Sequence, residues 1–247
     1  MSGHSKWANI KAKKGKSDAK RASVFTKIGR EIAVAVKAGG PDPNSNARLR
    51  DVIAKAKANN MPNDNITRGI KKASGELNSI NYEENVYEGY GAVGVAVIVE
   101  TLTDNKNRTA GDVRHIFDKC GGSMGTSGCV SYMFDRKGVI VIDKENLDED
   151  EVMMNALEMG ADDVVADEDV IEIFTEASNL GAVREEIEKN TAYKILSADV
   201  DMIPSNTVKV EPAVETKISK LLDLLEDHDD VQNIYHNAEL TEEEDED

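Results

Sequence analysis

Charge in this chain is divided by position, and that division limits what it can fold into. Residues 1–75 carry 17 Lys and Arg against 5 Asp and Glu, while the rest carries 13 against 42. The net charge of −17 is thus a segment of +12 followed by a body of −29. Such a chain is not a uniformly acidic protein but a basic module joined to an acidic body. Hydrophobic residues make up 40% of the sequence, enough for cored domains. Aromatics are only 4%, so those cores must be built from Val, Ile, Leu, Ala and Met.

Several classes are excluded early. The longest apolar run, Ala92 to Val99, is eight residues and contains Gly94; a membrane span needs about 20. The basic start of the chain has no apolar stretch leading to a small-residue cleavage site, so no secretory signal is expected and the expected location is cytoplasmic. Cys120 and Cys129 are the two cysteines; reduced thiols are the expectation. His4, His115, His228 and His236 are scattered, without Cys-x-x-Cys or His-Glu-x-x-His spacing, so no metal and no cofactor is expected.

Residues 1–22 have few apolar side chains and read as a flexible arm. A helical period begins at Ser23, with Phe25, Ile28, Ile32 and Val36 in line, and ends at Gly39-Gly40-Pro41. A second helix follows Ser45 with Leu49, Val52, Ile53 and Ala56 on one face. A third follows Pro62-Asn63, with Asn63 as the expected cap. Beyond Gly75 the pattern changes. Strands are expected at Val93 to Leu102 and Val130 to Phe134, flanking a helix with Val113, Ile116 and Phe117. From 138 to 204 the order is β-α-β-β-α-β, the split βαβ pattern, with Asp148-x-x-Glu151 as a capping box and Ser178 as the cap of the second helix. A helix from Pro212 and a strand from Val231 to Tyr235 lack partners of their own. They are expected to complete the 93–134 half-domain. The fold class is therefore α+β multidomain: an N-terminal three-helix bundle, then two ferredoxin-like (split βαβ) α/β domains, one inserted in the other. The expected division is 1–77 for the basic domain and arm, 78–136 plus 205–238 for the discontinuous domain, 137–204 for the inserted one and 239–247 for an acidic tail.

Several segments carry a family resemblance. They are Gly3-His4-Ser5-Lys6-Trp7 with Lys13-Lys14, Asn46 to Arg50, Met61-Pro62-x-Asp64-Asn65-Ile66, Tyr87-Glu88-Gly89-Tyr90-Gly91, Thr103-Asp104-Asn105-x-Asn107-Arg108-Thr109 and Gly121-Gly122-x-Met124-Gly125. Together they resemble the YebC family of bacterial regulators, related to mitochondrial translational activators of cytochrome c oxidase subunit one. The resemblance implies a helical first domain, two α/β domains and a role in nucleic-acid-linked regulation. It transfers no catalytic residue.

The candidate binding residues are the cations of the basic module. Lys6, Lys11, Lys13, Lys14, Lys16, Lys20 and Arg21 lie on the arm, with Trp7 among them as a base-stacking candidate. Lys27, Arg30, Arg48, Arg50, Lys55, Lys57, Arg68, Lys71 and Lys72 lie on the helices. On the second helix Arg48 and Lys55 are seven apart, as are Arg50 and Lys57, so each pair shares a face. Neutralising phosphates with such side chains releases counterions. Gly89-Tyr90-Gly91-Ala92-Val93-Gly94 matches a dinucleotide fingerprint but leads into a strand, where the chemistry needs a helix. The acidic clusters at 148–151 and 162–169 read as caps and solvated turns; a metal-dependent hydrolase is the remotest alternative. The partner expected is nucleic acid, ribosomal RNA ahead of promoter DNA, with protein contacts through the acidic domains and no membrane.

Overall fold

The computed structural model describes residues 18–75, 80–190 and 192–240. The expected arm, with Lys6, Trp7, Lys11, Lys13, Lys14 and Lys16, lies outside the described residues, as does the tail beyond 240. The described chain forms two compact units. One is built on Lys16–Ser131 with Ala213–Ile234, the other on Tyr132–Pro212 with the segment from Tyr235.

In the first unit, α1 (Asp18–Gly39), α2 (Ala47–Ala58) and α3 (Asn63–Ser74) make the bundle. Its core is Ile28, Ile32, Ala35, Val36, Leu49, Val52, Ala56, Met61, Ile66 and Ala73, the aliphatic set that helical periodicity picks out. Asn46 joins α1 to α2. Its buried side chain accepts from Leu49 N at 3.0 Å as the N-cap and donates to Ala35 O and Gly40 O, both at 2.8 Å. A Cβ at Gly39 would come within 2.7 Å of that side chain, so the α1 end requires glycine. At α3 the N-cap position is Pro62, with no side-chain cap bond; Asn63 is the first helical residue, and proline's fixed φ sets the entry instead.

The same unit holds a four-stranded sheet in the order β3-β1-β2-β9, from β1 (Glu83–Tyr90), β2 (Ala96–Thr103), β3 (Ser123–Met124) and β9 (Val231–His236). With it come α4 (Lys106–Lys119) and α7 (Pro212–Glu226). β1 and β2 form an antiparallel hairpin, so the fingerprint-like glycines lie at a strand end and in the 3₁₀ turn Ala92–Gly94. A Cβ at Gly89 would stand 2.6 Å from Ser123 O; the glycine is there for the approach of β3. Two expectations are corrected. The strand expected from Val93 begins at Ala96, because Ala92–Gly94 is a 3₁₀ turn, and 130–134 is not a strand: Ser131–Met133 is a 3₁₀ turn, and β3 two residues long takes the sheet position; β1 itself carried no expectation. Leu102 N donates to Asp230 O at 2.8 Å, linking β2 to the segment that leads into β9.

The second unit contains β4 (Phe134–Asp143), α5 (Glu149–Glu158), β5 (Asp163–Ala166), β6 (Val170–Glu176), α6 (Leu180–Lys189) and β7 (Ile195–Pro204). Its sheet order is β5-β6-β4-β7, with antiparallel neighbours throughout, the ferredoxin-like arrangement. Ile140, Ile142, Ile171 and Ile173 pack against Val152, Ala156, Val183 and Ile187 of the two helices. Asp148 caps α5, accepting from Glu151 N at 3.0 Å. α6 starts after Asn179 rather than Ser178 and has no side-chain cap bond. β8 (Val208–Lys209) pairs in parallel with β10 (Ala238–Glu239). The fold class is thus α+β multidomain: a helical bundle, a domain built on a four-stranded sheet with two helices, and a ferredoxin-like domain inserted in its sequence.

Candidate nucleic-acid interface

The helical cations separate into two groups. On α2 the buried stripe Leu49, Val52, Ala56 leaves two flanks, at about 100° per residue. Arg48 and Lys55 occupy one flank, Arg50 and Lys57 the other. Arg48 ion-pairs with Glu84, and Lys55 with Glu31 at 2.7 Å. Across the stripe, Arg50 donates to the Pro43 carbonyl at 3.3 Å, with no carboxylate partner among the described residues, and Lys57 is exposed. On α3, Arg68, Lys71 and Lys72 fall within an arc of about 100° opposite Ile66 and Ala73, which are buried. Arg68 donates to Asp64 O and Asn65 Oδ1, at 3.2 and 3.1 Å. Both acceptors are neutral, and no ion pair compensates its charge among the described residues. Lys71 and Lys72 are exposed, as is Arg21. Lys20 lies in α1.

Lys27 and Arg30 do something else. Lys27 Nζ donates to Glu226 O at 2.5 Å. Arg30 donates to Leu102 O, Asp229 O and Asp230 Oδ1 at 3.1, 2.8 and 2.5 Å, and its guanidinium lies 5.6 Å from the Tyr82 ring centroid. Asp230 is 2% exposed. Its second oxygen takes Arg108 at 2.9 Å and the Thr109 and Thr103 hydroxyls at 2.6 and 3.0 Å. Burial opposes its ionisation, but Thr109, Arg108, Arg30 and Thr103 together hold its pKa well below the usual carboxylate range. The family-like segment Thr103 to Thr109 therefore has a structural account. Asn105 caps α4 by accepting from Arg108 N at 3.1 Å, and the turn aims Thr103, Arg108 and Thr109 at one buried carboxylate.

This cluster borders an open cavity of about 550 Å³. Five carboxylates face it (Asp104, Asp112, Asp227, Asp229, Asp230) against the guanidiniums of Arg30 and Arg108. That balance repels phosphate. Arg30 and Lys27 tie α1 to the β-sheet domain. The cations left exposed on the bundle are the outward ones, Arg50, Lys57, Arg68, Lys71 and Lys72.

The glycine-rich turn 121–128 is fixed from below by Glu88, which sequence reading did not single out. Its carboxylate accepts from Gly128, Val130 and Ser131 N at 2.7, 2.9 and 2.9 Å. Burial pushes its pKa up, and these N–H bonds more than offset that, leaving it lowered. The turn's amides there are consumed internally. No local sequence signal marked Glu88, because β1 itself is not marked by alternation or β-branching.

Two members of the acidic clusters are paired locally. Lys144 pairs with Glu149 at 2.6 Å and Lys137 with Asp162 at 2.8 Å. Among the described residues no group of three or more His, Cys, Asp or Glu is arranged to hold a metal ion, and no helix is long and apolar enough to cross a membrane.

Comparison with known proteins matches this architecture from end to end. Residues 5–76 match the TACO1/YebC protein N-terminal domain, and residues 82–238 the TACO1/YebC second and third domain. A probable transcriptional regulatory protein of Clostridium botulinum (strain Eklund 17B) is 62% identical over 243 residues, 98% of each chain. One of Thermoanaerobacter pseudethanolicus bearing the same description is 57% identical over 247 residues, the whole of both chains. The crystal structure of a conserved hypothetical protein from Aquifex aeolicus superposes with a TM-score of 0.83 at 46% identity, covering 95% of this chain and 96% of that one. With a helical basic module, a split sheet domain and an inserted ferredoxin-like domain all accounted for in these matches, the chain belongs to the TACO1/YebC family.

Proposed function

We propose that this protein is a non-enzymatic regulator of gene expression that grips nucleic acid through its basic N-terminal domain, and that its target is ribosomal RNA in a translation-factor role. The observation that carries the reading is the outward cation set Arg50, Lys57, Arg68, Lys71 and Lys72, which has no acidic partner among the described residues, on a bundle where Arg30, Arg48 and Lys55 are ion-paired. With the arm cations Lys6, Lys11, Lys13, Lys14 and Lys16, the set provides enough positive charge for several phosphate contacts. The acidic remainder, −29 by sequence, is repelled by phosphate and so orients the molecule basic end inward. A lysine-rich arm fits RNA crevices better than a base-reading groove helix.

A second reading is promoter DNA. It is favoured by the description of the relatives as probable transcriptional regulatory proteins. Crosslinking in cells followed by sequencing of the recovered nucleic acid separates the two. Enrichment of ribosomal RNA supports the first; enrichment of promoter DNA replaces it with the second. In vitro, six or more phosphate contacts require affinity to fall by about 10³ or more between 50 and 200 mM salt. A flat salt dependence removes both readings.

A further inference from the structure

The two helices of the inserted domain cover the same sheet and share one core, yet their outer faces differ. α6 exposes Ala182, Glu185, Glu186, Glu188 and Lys189, and is laced by Arg184–Glu188 at 2.8 Å and Lys189–Glu186 at 2.5 Å. That is an ordinary solvated helix. α5 buries Val152 and Ala156 in the same way but turns large apolar side chains outward. Met153 is 40% exposed, Met154 65% and Leu157 47%. At about 100° per residue these three span one arc of the helix. Asp150, within the arc, and Glu158 and Glu151, about 40° and 60° beyond it on one side, are exposed and make no ion pair among the described residues. α5 contains no basic residue, and residues 137–204 carry 19 Asp and Glu against 5 Lys and Arg. Solvation does not account for two methionines and a leucine on one outer face. Clustered exposed apolar residues rimmed by charge mark interaction sites, and methionine adapts to varied partner shapes.

Charge selects the occupant. A second copy of this face, nucleic acid and an anionic membrane would all meet the acid frame with like charge. We propose that the outer face of α5 docks a cationic amphipathic helix of a partner protein, with apolar side chains of that helix on Met153, Met154 and Leu157 and its Lys or Arg on Asp150, Glu151 and Glu158. The residues of this contact are distinct from the proposed nucleic-acid-binding cations, which are on the bundle helices. The pair would let one molecule hold a polyanion by one module and a basic protein by another.

The test uses the full-length protein and a synthetic amphipathic helical peptide of Leu and Lys, with a scrambled peptide of equal composition as control. Amide chemical shifts should move on α5, around Met153 to Glu158, and the amphipathic peptide should bind more tightly than the scrambled one. Met154→Gln with Leu157→Gln should weaken binding by about tenfold or more, the scale of burying two such side chains. Both residues point outward, so thermal unfolding should be unchanged. Asp150→Asn with Glu158→Gln should also weaken binding and flatten its salt dependence. Equal binding by the Gln variant, or shifts confined to other elements, overturns the proposal. So does a concentration-dependent dimer that the Gln variant dissolves, which would make a second copy the occupant.

Discussion

The two flanks of α2 carry the same residue types at the same spacing and have opposite fates. Arg48 and Lys55 find carboxylates, Glu84 and Glu31; Arg50 and Lys57 find none among the described residues. The contrast extends to the neighbouring helices, where Arg30 of α1 lies on the buried Asp230 and Arg68, Lys71 and Lys72 of α3 stay open. A net charge of +12 over 75 residues therefore overstates the charge free for the proposed binding surface, because part of it assembles the fold. On that proposal, a cation joins the interface only when no carboxylate of its own chain claims it.

The sharpest break of this comparison is at Asp230. Asp230→Ala leaves Arg30 and Arg108 facing each other without their shared counter-charge. Removing one partner of a buried ion pair costs about 3–5 kcal/mol. Urea unfolding should show that loss, while nucleic-acid affinity of the folded protein at moderate salt should change by less than about twofold, well under the tenfold that 1.4 kcal/mol represents. A large affinity loss would show that docking of α1 sets the binding face, and the two groups of cations would merge into one.

A pH titration sharpens the same point. Asp230 has a folded pKa below its unfolded value of about 3.9. Its contribution to stability is therefore fully present above pH ~4 and is lost as pH falls below that toward the folded value. Asp230→Asn should be less stable than the parent at neutral pH, and the difference should shrink in acid denaturation series run below pH ~4. A constant difference across that window would mean the carboxylate charge is not what the two arginines require.

The open cations provide the next effect in size. Charge reversal at Arg50, Lys57, Arg68 and Lys71 together should weaken nucleic-acid binding by about 10² or more and reduce the salt slope by about 3 to 4, at ~0.9 per phosphate contact on duplex. Circular dichroism and thermal unfolding should be unchanged within a few tenths of a kcal/mol, since surface substitutions rarely do more. Reversing the arm and paired cations Lys13, Lys14, Arg48 and Lys55 instead would confound binding with packing.

These distinctions were only partly legible in the sequence. Helical periodicity located α2 and α3 closely, because Leu49, Val52, Ala56 and Ile66 repeat at the helical interval and nothing competes with them. The run through Val97 and Val99 announced β2. β1 was invisible for a physical reason: Glu83 to Tyr90 places Glu84 outward and buries Glu88 on the amides of another loop, so neither alternation nor β-branching marks it. The Arg30–Asp230 pair joins residues 200 apart, and no local pattern foretells a partner at that separation. Sequence distinguished the basic module from the acidic body, whereas only the fold could say which lysines and arginines remain available to a ligand.

The smallest expected effect tests the weakest element of the contrast. Arg48 and Glu84 are an ion pair with side chains 51% and 63% exposed, and pairs that exposed contribute about 0–1 kcal/mol. Arg48→Gln should therefore lower stability by less than about 1 kcal/mol, and a double-mutant cycle with Glu84→Gln should return a coupling of at most a few tenths. Its binding consequence is the informative part. If Glu84 neutralises Arg48, then Arg48→Gln leaves the salt slope of nucleic-acid binding unchanged, and Glu84→Gln increases it by up to ~0.9 by freeing one cation for phosphate. Should Arg48→Gln alone lower the slope by that amount, a polyanion displaces Glu84 on binding. The boundary between structural and binding cations would then be set by the ligand rather than by the folded chain.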